Sequence, residues 1–135
     1  MKFHHVGLLC NTLTAGRSGL EALLGPIAWT QIFEDTIQQV SVQFGSDSSG
    51  IRYELIAPTT ESSPVRTSLC QGKNILNHVA YLVPSLDEHA ARLRQADCLP
   101  VTQPQPAVAF RGARIQFFFS PLMCLLELIE DTAGA

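Results

Sequence analysis

Apolar and polar positions in the first half of the chain predict a strand, a helix and then further strands. Residues 2–10 form an apolar run whose side chains alternate, as in a strand. Thr12 is a suitable N-cap for a helix with one apolar face, and Gly25 is expected to end that helix. Three more strands are predicted at residues 29–34, 38–44 and 51–56.

The second half begins with the same order of elements. Residues 76–83 predict a strand, Ser85 with Glu88 forms a capping box, and the helix that follows ends near Ala96. A short helix is predicted at 64–71, in the segment between the halves. The remaining predicted strands are 99–102, 108–110, 113–120 and 124–129.

The two halves are related by a constant offset of 73 residues. His5 and the apolar run after it match His78 and its run, and Glu54 between apolar neighbours matches Glu127. We therefore predict an α+β fold of two tandem βαβββ units that form a curved mixed sheet enclosing a metal site. The expected organisation is a single domain over 1–135, with repeat 1 at about 1–58, a linker at 59–74 and repeat 2 at about 75–130.

The repeated residues suggest the chemistry of the site. A His on the first strand and a Glu on the last strand of each unit can face the same side of a sheet, because side chains alternate along a strand. We predict that His5, Glu54, His78 and Glu127 bind one divalent metal ion. Two imidazoles and two carboxylates suit Co, Ni, Mn, Zn or Fe better than calcium. A lone His or Glu in an apolar strand more often has a structural role. Because both halves carry a His and a Glu at matching positions, we favour a role as metal ligands for these residues.

Composition excludes several other classes of protein. The 135 residues carry a net charge of −3 without a basic block, so we expect no nucleic-acid partner. We expect no membrane partner either, because no apolar run approaches a membrane span, and the N-terminus lacks a secretory pattern. The protein is expected to be cytoplasmic. The isolated cysteines, without a CxxC pair, predict reduced thiols: Cys10, Cys70, Cys98 and Cys124.

These motifs resemble the vicinal oxygen chelate superfamily of glyoxalase I, bleomycin-resistance proteins, extradiol dioxygenases and methylmalonyl-CoA epimerase. The resemblance covers nearly the whole chain, and within the superfamily the epimerases are the most similar group. The segments that carry it are His4-His5-Val6-Gly7, Tyr53-Glu54-Leu55-Ile56-Ala57-Pro58, Leu76-Asn77-His78-Val79-Ala80-Tyr81 and Leu125-Leu126-Glu127-Leu128-Ile129.

The resemblance implies a metal-dependent isomerase or epimerase that acts by enolisation of an acyl thioester, such as a CoA ester. Glu127 and Glu54 would take part in proton transfer as well as in metal binding. The family's further carboxylate is expected near Ile37 to Val40, where this chain has no acid. Gln39 is the expected occupant and would hydrogen-bond an enolate oxygen, so a related thioester or carbonyl compound is an alternative substrate.

Two other functions stay open from the sequence. One is a glyoxalase I-type lactoylglutathione lyase, and the other is a non-catalytic small-molecule binding or resistance protein. Ser41 and Gln43, which alternate with apolar residues, are candidates for lining the pocket, and Arg111 or Arg114 for meeting an anionic substrate. A homodimer is expected, because such a sheet leaves open edges and superfamily members commonly dimerise.

Overall fold

The computed structural model describes residues 1–73, 75–122 and 125–134, and within them the fold is α+β, as predicted. The described residues contain three α-helices: α1 (Leu13–Leu24), α2 (Val65–Gln71) and α3 (Leu86–Gln95). The strands are β1 (Lys2–Leu9), β2 (Ala28–Asp35), β3 (Val40–Ser46), β4 (Arg52–Pro58), β5 (Leu76–Val83), β6 (Leu99–Pro100), β7 (Gln105–Pro106), β8 (Arg114–Phe119) and β9 (Leu126–Glu130). The described helices are all too short or too polar to traverse a lipid bilayer.

The strands form one mixed sheet in the order β2-β3-β4-β1-β5-β9-β8-β6, with β7 also pairing with β8. Within each half the first and last strands pair in parallel, β1 with β4 and β5 with β9, and the remaining pairs are antiparallel. The two halves, which are related in sequence, therefore also share the same pattern of strand pairing.

The chain divides into two compact units. One is His5–Asn77, and the other combines Met1–His4 with His78–Ala135. The first four residues thus group with the second half, although the sequence pattern assigned them to repeat 1. The predicted linker at 59–74 belongs to the first unit and contains α2.

In the unit His5–Asn77, α1 packs on one face of the strands. The Ala15 N–H donates to the Thr12 hydroxyl at 3.1 Å and starts the helix. Leu13 packs against Leu55 and Ala57 of β4 in a buried cluster. Gly16 permits this close approach, because a Cβ there would lie 2.8 Å from the Cys10 Sγ.

In the other unit α3 packs on β8 and β9. Ser85 caps its first turn, and the Glu130 carboxylate accepts from the Leu86 N–H at 3.1 Å. Acidic residues lie in the first turn and basic residues in the last, which suits the helix dipole. The buried cluster beneath the helix comprises Val83, Leu86, Ala90, Cys98, Phe118 and Leu128.

Several predicted boundaries were wrong. The strand predicted from residue 38 begins at Val40, and residues 108–110 form a 3-10 turn instead of a strand. The strand at 99–102 stops at Pro100, while a short one was missed at Gln105–Pro106. Prolines in this segment lack the N–H that a continuous strand needs. Cys10, Cys70 and Cys98 are free thiols, and Cys124 lies outside the described residues.

Candidate metal centre

In the first unit, strand register brings His5 and Glu54 together. Gly7 of β1 pairs with Glu54 of β4, so the carboxylate lies on the face that also carries His5. The His5 Nε2 is 3.0 Å from the Glu54 Oε2. The two residues are 0% and 7% exposed, so this polar pair is withdrawn from solvent.

The second unit repeats the arrangement. Ala80 of β5 pairs with Glu127 of β9, and the His78 Nε2 is 3.3 Å from the Glu127 Oε2. His78 is 1% exposed and Glu127 is 2% exposed. In both units the Glu is opposite the residue two positions after the His, so the same register produces each pair.

One ligand atom from each of these four side chains lies within 4.8 Å of the others. Ligand atoms that share one ion with bonds of about 2.1 Å are about 3 to 4.3 Å apart, so small side-chain adjustments suffice for coordination. Two buried carboxylates are costly without compensating charge, and a divalent cation would neutralise them. The donor set and its spacing therefore fit a divalent metal, and metal binding itself stays a prediction.

A phenylalanine contacts the imidazole in each unit. The rings of His5 and Phe44 are 5.3 Å apart at an interplanar angle of 76°. The rings of His78 and Phe117 are also 5.3 Å apart, at 81°. Phe44 pairs with Glu54 and Phe117 with Glu127, so each aromatic ring lies on the same face as the His/Glu pair.

Comparison with known proteins places the chain in a family. Residues 4–117 match the model of the glyoxalase/bleomycin resistance protein/dioxygenase superfamily. The chain belongs to this superfamily. The resemblance drawn from the sequence motifs is thereby confirmed. A comparison with curated protein sequences gave no match.

Several solved structures share the fold of this chain at low sequence identity. A hypothetical protein from Bacillus halodurans has a TM-score of 0.82 at 21% identity, covering 97% of this chain and 94% of its own. Methylmalonyl-CoA epimerase from Mycobacterium tuberculosis has a TM-score of 0.79 at 23% identity, covering 99% and 92%. A Streptomyces coelicolor methylmalonyl-CoA epimerase variant, in complex with 2-nitronate-propionyl-CoA, has a TM-score of 0.77 at 24% identity, with 98% of both chains covered.

The position of Gln39 differs from the prediction based on the superfamily resemblance. Gln39 lies in the turn before β3 with a φ of 57°, so it is not part of the strand that pairs with β4. Its Oε1 accepts from the hydroxyls of Thr60 at 2.5 Å and Ser62 at 2.7 Å. These contacts tie the turn to the segment after β4, and we assign Gln39 no contact with an enolate.

The polar face of β3 also differs from the prediction. Ser41 and Gln43 pair with Ala57 and Leu55, which face α1, and the Arg17 guanidinium of α1 donates to the Gln43 Oε1 at 2.7 Å. The face that carries Glu54 instead presents Phe44 and other apolar residues of β3. The alternation was read correctly from the sequence, but Ser41 and Gln43 lie on the face toward α1 and not on the face that carries Glu54.

Asp35 is a buried carboxylate that the sequence analysis missed. It pairs with Val40, on the face of the sheet that carries Glu54, and its carboxylate accepts from the Gln38 N–H at 2.9 Å and from the Gln38 Nε2 at 3.2 Å. Strand geometry puts its Cα about 16 Å from that of Glu54, two strands across and four residues along. Asp35 therefore caps the turn and cannot act beside the His/Glu pair.

The two arginines considered for an anionic substrate have different surroundings. Arg114 donates to Glu130 at 2.8 and 2.9 Å and to Asp87 at 3.3 Å, so its guanidinium joins β8 to β9 and α3. Arg111 is exposed, with a φ of 55° after the 3-10 turn. The role predicted for Arg114 is thus replaced by a structural one.

Proposed function

We propose that this protein is a divalent-metal-dependent isomerase or epimerase that acts by enolisation of an acyl thioester. The observation that carries the proposal is the duplicated, buried His/Glu pair, whose four ligand atoms lie within 4.8 Å of one another. Further support comes from the neighbours, because one methylmalonyl-CoA epimerase structure is a complex with methylmalonyl-CoA.

His5, Glu54, His78 and Glu127 would hold the metal. A divalent ion bound there would supply Lewis acidity to the carbonyl oxygen of the substrate and so lower the cost of forming an enolate. The four side chains are buried, so electrostatic interactions with a charge that develops beside them would be stronger than in bulk water.

The carboxylates supply the proton transfer. In the first step a carboxylate oxygen of Glu127 takes the α proton, and the electron pair of the C–H bond becomes the enolate. For the epimer to form, Glu54 must start the cycle as the neutral acid; it gives its proton to the opposite face and is left ionised, while Glu127 is left protonated, so the pair is then set for the reverse direction. A proton returned to the same face from Glu127 gives the starting material. Gln39 has no part in this scheme, since its side chain is engaged in the turn.

The decisive experiment measures deuterium incorporation at the α carbon of methylmalonyl-CoA and propionyl-CoA in D₂O. Protein loaded with Co, Ni, Mn, Zn or Fe is expected to exchange this proton, and the variants Glu127→Gln and Glu54→Gln are expected to lose at least about 100-fold of the rate. His89→Asn is the matched control, because His89 lies on α3, where its Nδ1 contacts the Ser85 carbonyl. Absence of exchange in metal-loaded protein would argue against the proposal.

A glyoxalase I-type activity is the second candidate, favoured by the same set of two imidazoles and two carboxylates. It would move a proton between adjacent carbons of a glutathione hemithioacetal, using the same acid–base groups. Isomerisation of that hemithioacetal without exchange of the acyl thioesters would decide for it. A non-catalytic binding protein would give neither reaction while still retaining a ligand.

A further inference from the structure

In each unit the edge strand leaves the regular ladder opposite the phenylalanine that contacts a histidine. In the first unit the register between β2 and β3 shifts between Trp29 and Ile32. In the second unit β6 ends at Pro100 and β7 begins at Gln105, so β8 has an interrupted neighbour. Such irregularities often occur beside functional sites, where they redirect a side chain.

A threonine hydroxyl fills each gap in the ladder. The Phe44 N–H donates to the Thr30 Oγ1 at 3.2 Å, and the Phe117 N–H donates to the Thr102 Oγ1 at 3.0 Å. The hydroxyl thereby satisfies the backbone N–H of the residue whose ring touches the imidazole. In each unit this hydrogen bond fixes the backbone of the phenylalanine, and the position of the backbone determines where the ring lies.

A buried glutamine holds each threonine. The Gln43 Nε2 donates to the Thr30 carbonyl at 2.7 Å, and the Gln116 Nε2 donates to the Thr102 carbonyl at 2.8 Å. The two glutamines are 7% and 1% exposed, so the donor side chain of each bond is buried, while Thr30 itself is exposed and Thr102 is half-buried. We call each set a Thr–Gln clamp: Thr30 with Gln43, and Thr102 with Gln116.

We propose that the two Thr–Gln clamps are positioning devices that hold Phe44 against His5 and Phe117 against His78, and so orient both imidazoles for a metal ion. The inference rests on the proposed metal site. The duplication supports it, because both units keep the same polar residues although their edge strands are irregular in different ways. Mutation of a residue that orients a metal ligand from outside the coordination sphere typically lowers metal affinity by roughly 10–100-fold.

The first test compares zinc affinity with stability. Thr30→Val, Thr102→Val and Phe117→Leu are expected to weaken Zn²⁺ binding about 10-fold, measured by competition with a chelator. Phe118→Leu is the matched control, since Phe118 is the adjacent residue and packs in the buried cluster beneath α3. It should lower the urea midpoint and leave zinc affinity unchanged. Thr67→Val, at an exposed position of α2, controls for loss of a hydroxyl.

A second readout does not depend on metal. In NMR spectra of the metal-free protein, Thr30→Val should shift the imidazole signals of His5 and leave those of His78 in place, and Thr102→Val should do the reverse. The clamp proposal is overturned if the clamp variants lose stability yet bind Zn²⁺ like wild type. It is also overturned if Thr30→Val leaves the His5 signals unchanged and Thr102→Val leaves the His78 signals unchanged. Failure of the wild type to bind any metal would refute the proposed function, and the NMR result would then decide the clamp separately.

Discussion

At the residue scale, the matched offset of 73 residues predicted the two His/Glu pairs, because strands of equal register carry their side chains to equivalent places. The same offset hid the threonines. Thr30 and Thr102 are 72 residues apart, since the edge strands are irregular in different ways, so an alignment at fixed spacing matches Thr30 with Gln103. Gln39 was misplaced because the alternation of residues 38–44 does not reveal a positive φ.

The cysteines provide a prediction at this scale. Burial raises the pKa of the Cys10 thiol to about 11. At pH 8 roughly one Cys10 side chain in a thousand is therefore a thiolate, and thiolate is the form that reacts. With a limiting amount of iodoacetamide, exposed Cys70 should be alkylated well before Cys10, as measured by peptide mass spectrometry. Equal rates for the two thiols in folded protein would contradict the burial of Cys10.

At the scale of elements, caps and apolar stripes predicted both long helices, since Thr12 and Ser85 act as the sequence indicated. The irregular edge strands were not predictable to the same degree. Prolines at 100, 104 and 106 permit only short pairings, and which pairings form depends on contacts with β8 that no local pattern encodes.

Helix α1 allows a test with two glycines of the same helix. A Cβ on Gly16 would lie 2.8 Å from the Cys10 Sγ and 3.1 Å from the Leu55 Cδ1, whereas Gly19 has open space. Gly16→Ala should lower the free energy of unfolding by roughly 1–3 kcal/mol through overpacking. Gly19→Ala should raise it by about 0.5–1 kcal/mol, because alanine favours the helix. Urea denaturation measures both, and stabilisation by Gly16→Ala would contradict the packing described.

The link between α3 and its strands predicts a pH dependence. Hydrogen bonds from Arg114, and then from the Leu86 N–H, hold the pKa of Glu130 below its ordinary value of 4.5. A lowered pKa stabilises the fold at neutral pH, and this contribution is lost as pH falls below 4.5 and through the folded-state pKa. Glu130→Gln should therefore unfold at less urea than wild type at pH 7, with the gap closing in acid.

Asp87 supplies the control for that experiment. It contacts the same guanidinium at 3.3 Å but its side chain is 75% exposed, so Asp87→Asn should have a smaller effect at pH 7. A gap between wild type and Glu130→Gln that is the same at pH 7 and pH 3 would mean that the charge of Glu130 does not stabilise the helix junction.

At the scale of the whole molecule, the open sheet leads to a prediction about assembly. The strands β2 and β6 stand at the ends of the strand order, and unpaired edges favour association with another chain. We expect a homodimer, with a mass by light scattering of twice 14.7 kDa. A monomer mass across the micromolar range would reject it, without bearing on the metal site.

The central claim is that His5, Glu54, His78 and Glu127 together bind one divalent ion, and metal content measures it most directly. Wild-type protein exposed to excess Zn²⁺ or Co²⁺ and then desalted should retain one equivalent per chain by elemental analysis. His5→Ala, Glu54→Ala, His78→Ala and Glu127→Ala should each retain far less, a larger loss than the roughly 10–100-fold cost of removing an outer partner, while His89→Asn retains the full equivalent. A folded wild-type protein without metal, or four variants that bind it as wild type does, would contradict the account.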